Sequence, residues 1–218
     1  DSAFTLRIEA GTKVHFHNGA GLWVFKDGNI QATGTQEEPI IFQSDRLEAF
    51  YSDLPGQWDR IWINEGSVNN LFENVVIKNA LIGIQAETLP FASNVTAPTS
   101  SNKLILKNVA LLNNSSFGIY ARNYRIDGEN VFISQAGNYL MGVAGGGEYN
   151  FTHSTFVNYW GYAARKTPSL FFNNVYQDGL GNLQAREITN TKFTNCIVWG
   201  IEDTEVDWEL DETVTNNS

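Results

Sequence analysis

The sequence predicts an all-β fold, a right-handed parallel β-helix in which short strands stack as a solenoid with loop insertions. Three observations predict it. First, hydrophobic residues make up 42% of the 218-residue chain and charged residues only 17%, while Asn (24 residues) and Gly (19) are abundant. That mixture suits strands joined by tight corners. Second, no window of a dozen residues carries a helical apolar stripe. Third, a short apolar strand headed by a small polar residue recurs along the chain.

In chain order, the first third supplies strand candidates at Thr5–Glu9, Thr12–Phe16, Leu22–Lys26, Ile30–Thr33 and Pro39–Gln43. Gly11, Asn18-Gly19, Asp27-Gly28 and Gly34 separate them, and such residues turn the chain at little steric cost. The recurring element follows: Asn74-Val-Val-Ile77, Asn108-Val-Ala-Leu-Leu112, Asn130-Val-Phe-Ile133, Ser154-Thr-Phe-Val157, Asn174-Val-Tyr176 and Asn195-Cys-Ile-Val198. The spacings are 34, 22, 24, 20 and 21 residues. The four short ones suit one coil of a β-helix, and the long one reads as a coil plus an insertion, placed at Glu87 to Ser101. A second strand follows at a near-constant offset in three coils, at Gly83-Ile84-Gln85, Gly118-Ile119-Tyr120 and Tyr139-Leu-Met-Gly142. Stacking such coils about 4.8 Å apart places like residues over like, so interior Val, Ile, Leu and Phe form ladders. An antiparallel sandwich is the structural competitor, since Asp-Gly turns also make hairpins. A sandwich gives no reason for a corner Asn at a fixed interval. Residues 1–218 therefore read as one elongated domain, starting at Asp1 as a processed or trimmed piece and ending at Ser218 as the truncation of a longer chain.

The net charge of −10 is unevenly placed: seven acids lie in residues 201–218 with no Lys or Arg, which leaves −3 for the rest. An acidic chain without a basic stripe is a poor partner for nucleic acid or an anionic membrane surface. No apolar run approaches the ~20 residues of a transmembrane helix. The lone Cys196 excludes an internal disulfide and, flanked by Ile197 and Val198, reads as an inert buried thiol.

The stretches Ile8-Glu-Ala-Gly-Thr-Lys-Val14, Gly21-Leu-Trp-Val24 and Ala32-Thr-Gly-Thr35 to Pro39-Ile-Ile-Phe42 resemble the opening coils of secreted right-handed β-helix proteins. The continuation Gln43-Ser-Asp-Arg-Leu47 to Pro55-Gly-Gln-Trp58, with Ile82-Gly-Ile-Gln85 and Asn158-Tyr-Trp160, is similar to a group of surface lipoproteins of Bacteroidetes-type bacteria. The resemblance spans nearly the whole chain, although the group's lipidated N-terminus is not in it. It implies an extracellular or outer-surface location and no enzymatic activity.

β-Helix glycosidases need two carboxylates flanking a groove, and no paired-Asp motif recurs on the central coils. The densest carboxylates of the body, Glu37, Glu38, Asp45, Glu48, Asp53 and Asp59, fall in loops. The loop from Asp45-Arg46 to Asp59-Arg60, with Phe50, Tyr51, Trp58 and Trp62 beside it, reads either as a binding lobe with aromatic platforms or as a self-packed cover whose Asp and Arg tie its ends together. His15 and His17 share one face of a strand and read as a surface or hydrogen-bonded pair, because no third metal ligand is evident. Tyr159, Trp160 and Tyr162 cannot all face one interior, so they read equally as a sugar-binding face, with Arg165 nearby, or as rings that fill the coil interior or pack a corner. Phe172 and Tyr176 fall to the interior strand.

The tail Glu205-Val-Asp-Trp-Glu-Leu-Asp211 alternates strictly. Its carboxylates diverge along one strand, so no cofactor is expected, Ca²⁺ being the only alternative the row raises. It reads as a charged terminal edge that discourages edge-to-edge stacking.

The expected function is a non-catalytic cell-envelope scaffold or glycan- or protein-binding module. The expected ligand contacts are Asp45, Arg46, Trp58, Tyr159, Trp160, Tyr162 and Arg165, and the partner is a polysaccharide or another envelope protein. The alternative is a polysaccharide lyase or glycoside hydrolase with unrecognised catalytic residues.

Overall fold

The computed structural model describes residues 4–88 and 102–215. The chain is all-β, 58% strand and 3% helix. In order, the strands are β1 (Thr5–Glu9), β2 (Lys13–Phe16), β3 (Leu22–Val24), β4 (Asn29–Thr33), β5 (Ile40–Ser44), β6 (Trp58–Ile63), β7 (Asn70–Lys78), β8 (Ala80–Glu87) and β9 (Lys103–Asn114). Then come β10 (Phe117–Glu129), β11 (Phe132–Ala136), β12 (Tyr139–Thr152), β13 (Thr155–Asn158), β14 (Leu170–Asn173), β15 (Val175–Gln177), β16 (Leu183–Ala185), β17 (Lys192–Thr194), β18 (Ile197–Gly200) and β19 (Val206–Glu209). All but β15 and β16 belong to one curled sheet of 17 strands whose pairings are parallel.

The pairings sort into three ladders, visited in turn on each pass of the chain. Ladder A runs β1, β4, then the first part of β7 and of β9, the last parts of β10 and β12, and β17. Ladder B runs β2, β5, the rest of β7 and of β9, β11, β13 and β18. Ladder C runs β3, β6, β8, the first parts of β10 and β12, β14 and β19. The five strands expected in the first third are all present, β1 with the expected bounds and the others with ends moved by one or two residues.

Register explains the repeated apolar positions. In ladder B, Val14, Phe42, Ile77, Leu111, Ile133, Phe156 and Val198 pair in succession. In ladder C the column is Leu22, Ile61, Ile84, Ile119, Met141, Leu170 and Val206. The middle members of both columns are buried and form one core with Phe72, Leu106 and Phe151 of ladder A. Strands alternate their faces, so every second residue joins the core and its neighbour faces out.

The corner asparagines are a stacked ladder. Asn74, Asn108 and Asn130 each hold a left-handed backbone (φ 52°, 53° and 53°), a conformation Asn tolerates better than other side-chain-bearing residues. Asn74 donates to the Gly34 carbonyl at 3.0 Å, Asn108 to Asn74 Oδ1 at 3.2 Å, and Asn130 to Asn108 Oδ1 at 2.8 Å.

Two expectations about the repeat need correction. The head of the next pass is His153, with φ 53°, not Ser154. Asn174 is not a corner of the series at all. Thr155 pairs directly with Ile197, a step of 42 residues, so the spacings of 20 and 21 are the halves of one long pass. Asn174-Val-Tyr176 leads instead into an antiparallel hairpin of β15 and β16, whose turn is tied by Asp178 accepting from the amides of Leu180 and Asn182. A polar residue ahead of apolar ones marks a hairpin start as well as a corner, which is why the spacing misled. The step of 34 between β7 and β9 agrees with the expected insertion, of which residues 89–101 lie outside the described part.

Candidate functional site

The two segments singled out in the sequence meet on the outer face of ladder B. The loop between β5 and β6 carries a 3₁₀ turn, Ala49–Tyr51. Its backbone is fixed from below: Asn79 donates to the Ser52 carbonyl at 2.9 Å, and Gln57 donates to the carbonyls of Tyr51 and Leu54, both at 2.6 Å. Asn113 also donates to the Asp53 carbonyl. From the far side, 109 residues later, the Tyr162 hydroxyl donates to the same Asp53 carbonyl at 2.6 Å.

Between them lies a groove of about 520 Å³, lined by Asp53, Asn113, Ser134, Gln135, Tyr159 and Tyr162, with Leu112 and Gly161. Its floor follows from strand alternation. Leu112 of β9 and Ser134 of β11 are register partners that face out, and the next residue in each strand turns a corner in the left-handed region (Asn113 φ 62°, Gln135 φ 60°). Tyr159 and Tyr162 are about half exposed, at 47% and 54%. The buried Trp160 ring supports Tyr162 from behind, 5.0 Å between centroids. Gln135 Oε1 is buried and accepts no hydrogen bond. Among the described residues no Lys or Arg lines the groove, and Asp53 is the one charged group in the lining.

The other expected contacts sit elsewhere, for clear physical reasons. Trp58, expected as an exposed platform, is 1% exposed. It stacks on Phe16 at 4.3 Å and donates to the Lys78 carbonyl at 2.8 Å. Trp160 is buried, and the side chain of Arg165 is 0% exposed because Glu205 holds it. None of the three can touch a ligand. Asp45 and Arg46 are exposed but outside the groove: Asp45 accepts from His17 at 2.8 Å, while Arg46 lies over the Tyr51 ring at 3.9 Å. The loop ends are therefore not tied by an Asp–Arg pair across them; Arg60 pairs with its neighbour Asp59. His15 and His17 take separate partners: His15 is hydrogen-bonded to the Ser44 carbonyl at 3.1 Å and His17 to Asp45. Cys196 is partly buried, its thiol directed at the carbonyls of Phe151 and Thr194.

The tail also differs from expectation. Glu205 is not part of an exposed acidic row: its carboxylate takes the Arg165 guanidinium through two bonds, 2.6 and 3.1 Å, and the Ser169 and Glu202 amides, both at 2.9 Å. Burial works to raise the Glu205 pKa, but these hydrogen bonds outweigh it and hold the carboxyl below its usual range.

Two further surfaces lie apart from this groove. On the outer face of ladder C, Phe117, Tyr139 and Phe171 line up at 5.4 and 5.2 Å with ring planes 25° and 32° apart. Those rings stack on each other, so their faces are spent within the row. On ladder A a groove of about 590 Å³ is lined by Lys103, Lys107, Asp127, Glu129, Asn150 and Thr152 among others. There Asp127 is paired with Lys103 at 2.7 Å and accepts from Asn150 at 3.2 Å.

Among the described residues, no three His, Cys, Asp or Glu side chains gather closely enough to hold a metal ion, and no helix is long and apolar enough to cross a membrane. No family model, curated protein or solved structure matches the chain.

Proposed function

We propose that this chain is a right-handed parallel β-helix of a bacterial cell envelope that binds glycan without cleaving it. The three parallel ladders, visited in the same order on every pass, support the β-helix reading, and the right-handed sense is that of nearly all parallel crossovers. The groove over ladder B carries the functional reading. Two tyrosine rings, the side-chain amides of Asn113 and Gln135 and the Ser134 hydroxyl line a shallow polar cleft there. Such a cleft suits a ligand that is flat on its apolar faces and rich in hydroxyls. With one carboxylate and no cation in the lining, it favours a neutral glycan over a uronate-rich one. The envelope location rests on the sequence resemblance.

The test is binding of the purified chain to an array of neutral and anionic polysaccharides, with the mass of every glycan checked after incubation. Retention on neutral glycans that is lost in Tyr159→Ala, with no change in glycan mass, supports the proposal. Cleavage, or binding indifferent to Tyr159, overturns it. The cleavage outcome has its own candidate: Asp127 and Glu129 face the ladder A groove from one strand, two residues apart, a backbone spacing of roughly 7 Å that is nearer the inverting than the retaining carboxylate separation.

A further inference from the structure

The groove over ladder B repeats at the interval of the fold. Lys78, Leu112, Ser134 and Val157 form one outward column, each the register partner of the next. The loop after β5 lies over the first of them, because Lys78 Nζ donates to the Ser52 carbonyl at 3.4 Å. Leu112, Ser134 and Val157 are half-buried. The lining then steps from pass to pass: Leu112 and Asn113 after β7, Ser134 and Gln135 on β11, and Tyr159 just past the end of β13. A cleft lined in that order runs across the strands, along the stack, and neighbouring strands lie about 4.8 Å apart. Polar groups recur with the same step. Asn113 and Gln135 hold the same left-handed corner on successive passes (φ 62° and 60°). Asn113 spends its amide hydrogens on the Asp53 carbonyl and on Asn79 Oδ1, so its own oxygen is left to accept.

We propose that this groove takes a β-1,4-linked chain of neutral, all-equatorial sugars, extended along the stack with one sugar over each pass. The inference rests on the glycan reading of the groove and adds the linkage and the direction. Equatorial bonds on both sides of each ring keep such a chain straight, and it advances per sugar by nearly the spacing of neighbouring strands. Each sugar therefore meets the same kind of surroundings as the one before it: an outward side chain below and a corner amide beside. Successive sugars in such a chain turn over. With every hydroxyl equatorial, both ring faces carry only C–H groups, so either face suits the Leu112 floor and the exposed Tyr159 ring. An α-1,4-linked chain of the same sugar coils, and leaves a straight cleft after one or two units. The discrimination is thus a difference in how many sugars reach the lining at once. Three passes contribute to that lining, so the groove holds three sugars.

Titration calorimetry on the full chain tests the proposal, with β-1,4-linked and α-1,4-linked glucose oligomers as paired probes, since the two series differ only in linkage. The expected result is an affinity for cellotriose at least about tenfold above that for maltotriose. Within the β series, affinity rises from two sugars to three and levels off at four. Ser134→Tyr fills the floor at the middle pass with a side chain that faces out, so the thermal midpoint stays and cellotriose binding falls by about tenfold or more. The linkage comparison needs no variant and decides the matter even where Ser134→Tyr is unstable. Equal affinity for the two series, no gain from two sugars to three, or a folded Ser134→Tyr that binds like the wild type overturns this inference alone, because neutral-glycan binding lost in Tyr159→Ala still upholds the glycan reading. Binding to no neutral glycan overturns that reading and this inference with it.

Discussion

Arg165 and Glu205, forty residues apart, form a buried two-bond ion pair that ties the segment after β13 to the strand that ends ladder C. Glu205→Ala strands a guanidinium that is fully out of solvent. Removing one partner of a buried pair costs about 3–5 kcal/mol. Chemical denaturation of this variant should show that loss, whereas replacing both residues together by apolar ones of similar size should restore much of it.

The same pair sets an acid sensitivity. The folded Glu205 pKa lies below its unfolded value, so its contribution is complete above the ordinary carboxylate range and disappears as pH falls through the depressed folded pKa. The thermal midpoint should drop on acidification, and Glu205→Gln should be less stable at neutral pH yet show a shallower drop. An unchanged acid slope in Glu205→Gln would assign the sensitivity to other carboxylates.

The asparagine ladder predicts a ranking. Asn108→Ala loses a bond to Asn74 and one from Asn130, and it places alanine at φ 53°, which costs about 1–2 kcal/mol for a side-chain-bearing residue. Asn108→Gly loses the bonds but not the backbone ease. Thermal midpoints should therefore fall in the order wild type, Gly, Ala.

Gly118 marks a place where the ladder C backbone admits no side chain. A Cβ there would stand 2.6 Å from the Leu140 carbonyl oxygen and would also strike the Ile133 side chain. Gly118→Ala should destabilise by about 1–3 kcal/mol, visible as early unfolding by circular dichroism.

Within the groove, Tyr159→Ala should weaken glycan binding by about 2 kcal/mol, the cost of truncating an aromatic anchor, or roughly 30-fold in Kd. Asp45→Asn and Arg46→Ala should leave affinity unchanged, because both lie outside the lining. Trp58→Ala should lower stability by about 3–5 kcal/mol as a core deletion. Titration calorimetry and thermal melts on the four variants separate the two effects.

The sequence by itself determined the strands and the parallel repeat, because alternation and left-handed Asn corners are local properties that each pass must restate. The spacing of 22 residues from Asn108 to Asn130 is read directly as register, with Ala110 beside Phe132. It also marked Tyr159 and Tyr162, since three large rings in four residues cannot all turn inward. Only the tertiary structure decided which rings were left outside. Trp58 went to the core because its register carries it onto Phe16, and Arg165 was withdrawn by a carboxylate forty residues away that no local pattern connects to it. The groove has the same origin. Asp53, Gln135 and Tyr162 are distant in sequence, and stacking passes of unequal length, with a loop on one and a turn on another, is what brings them to a single cleft.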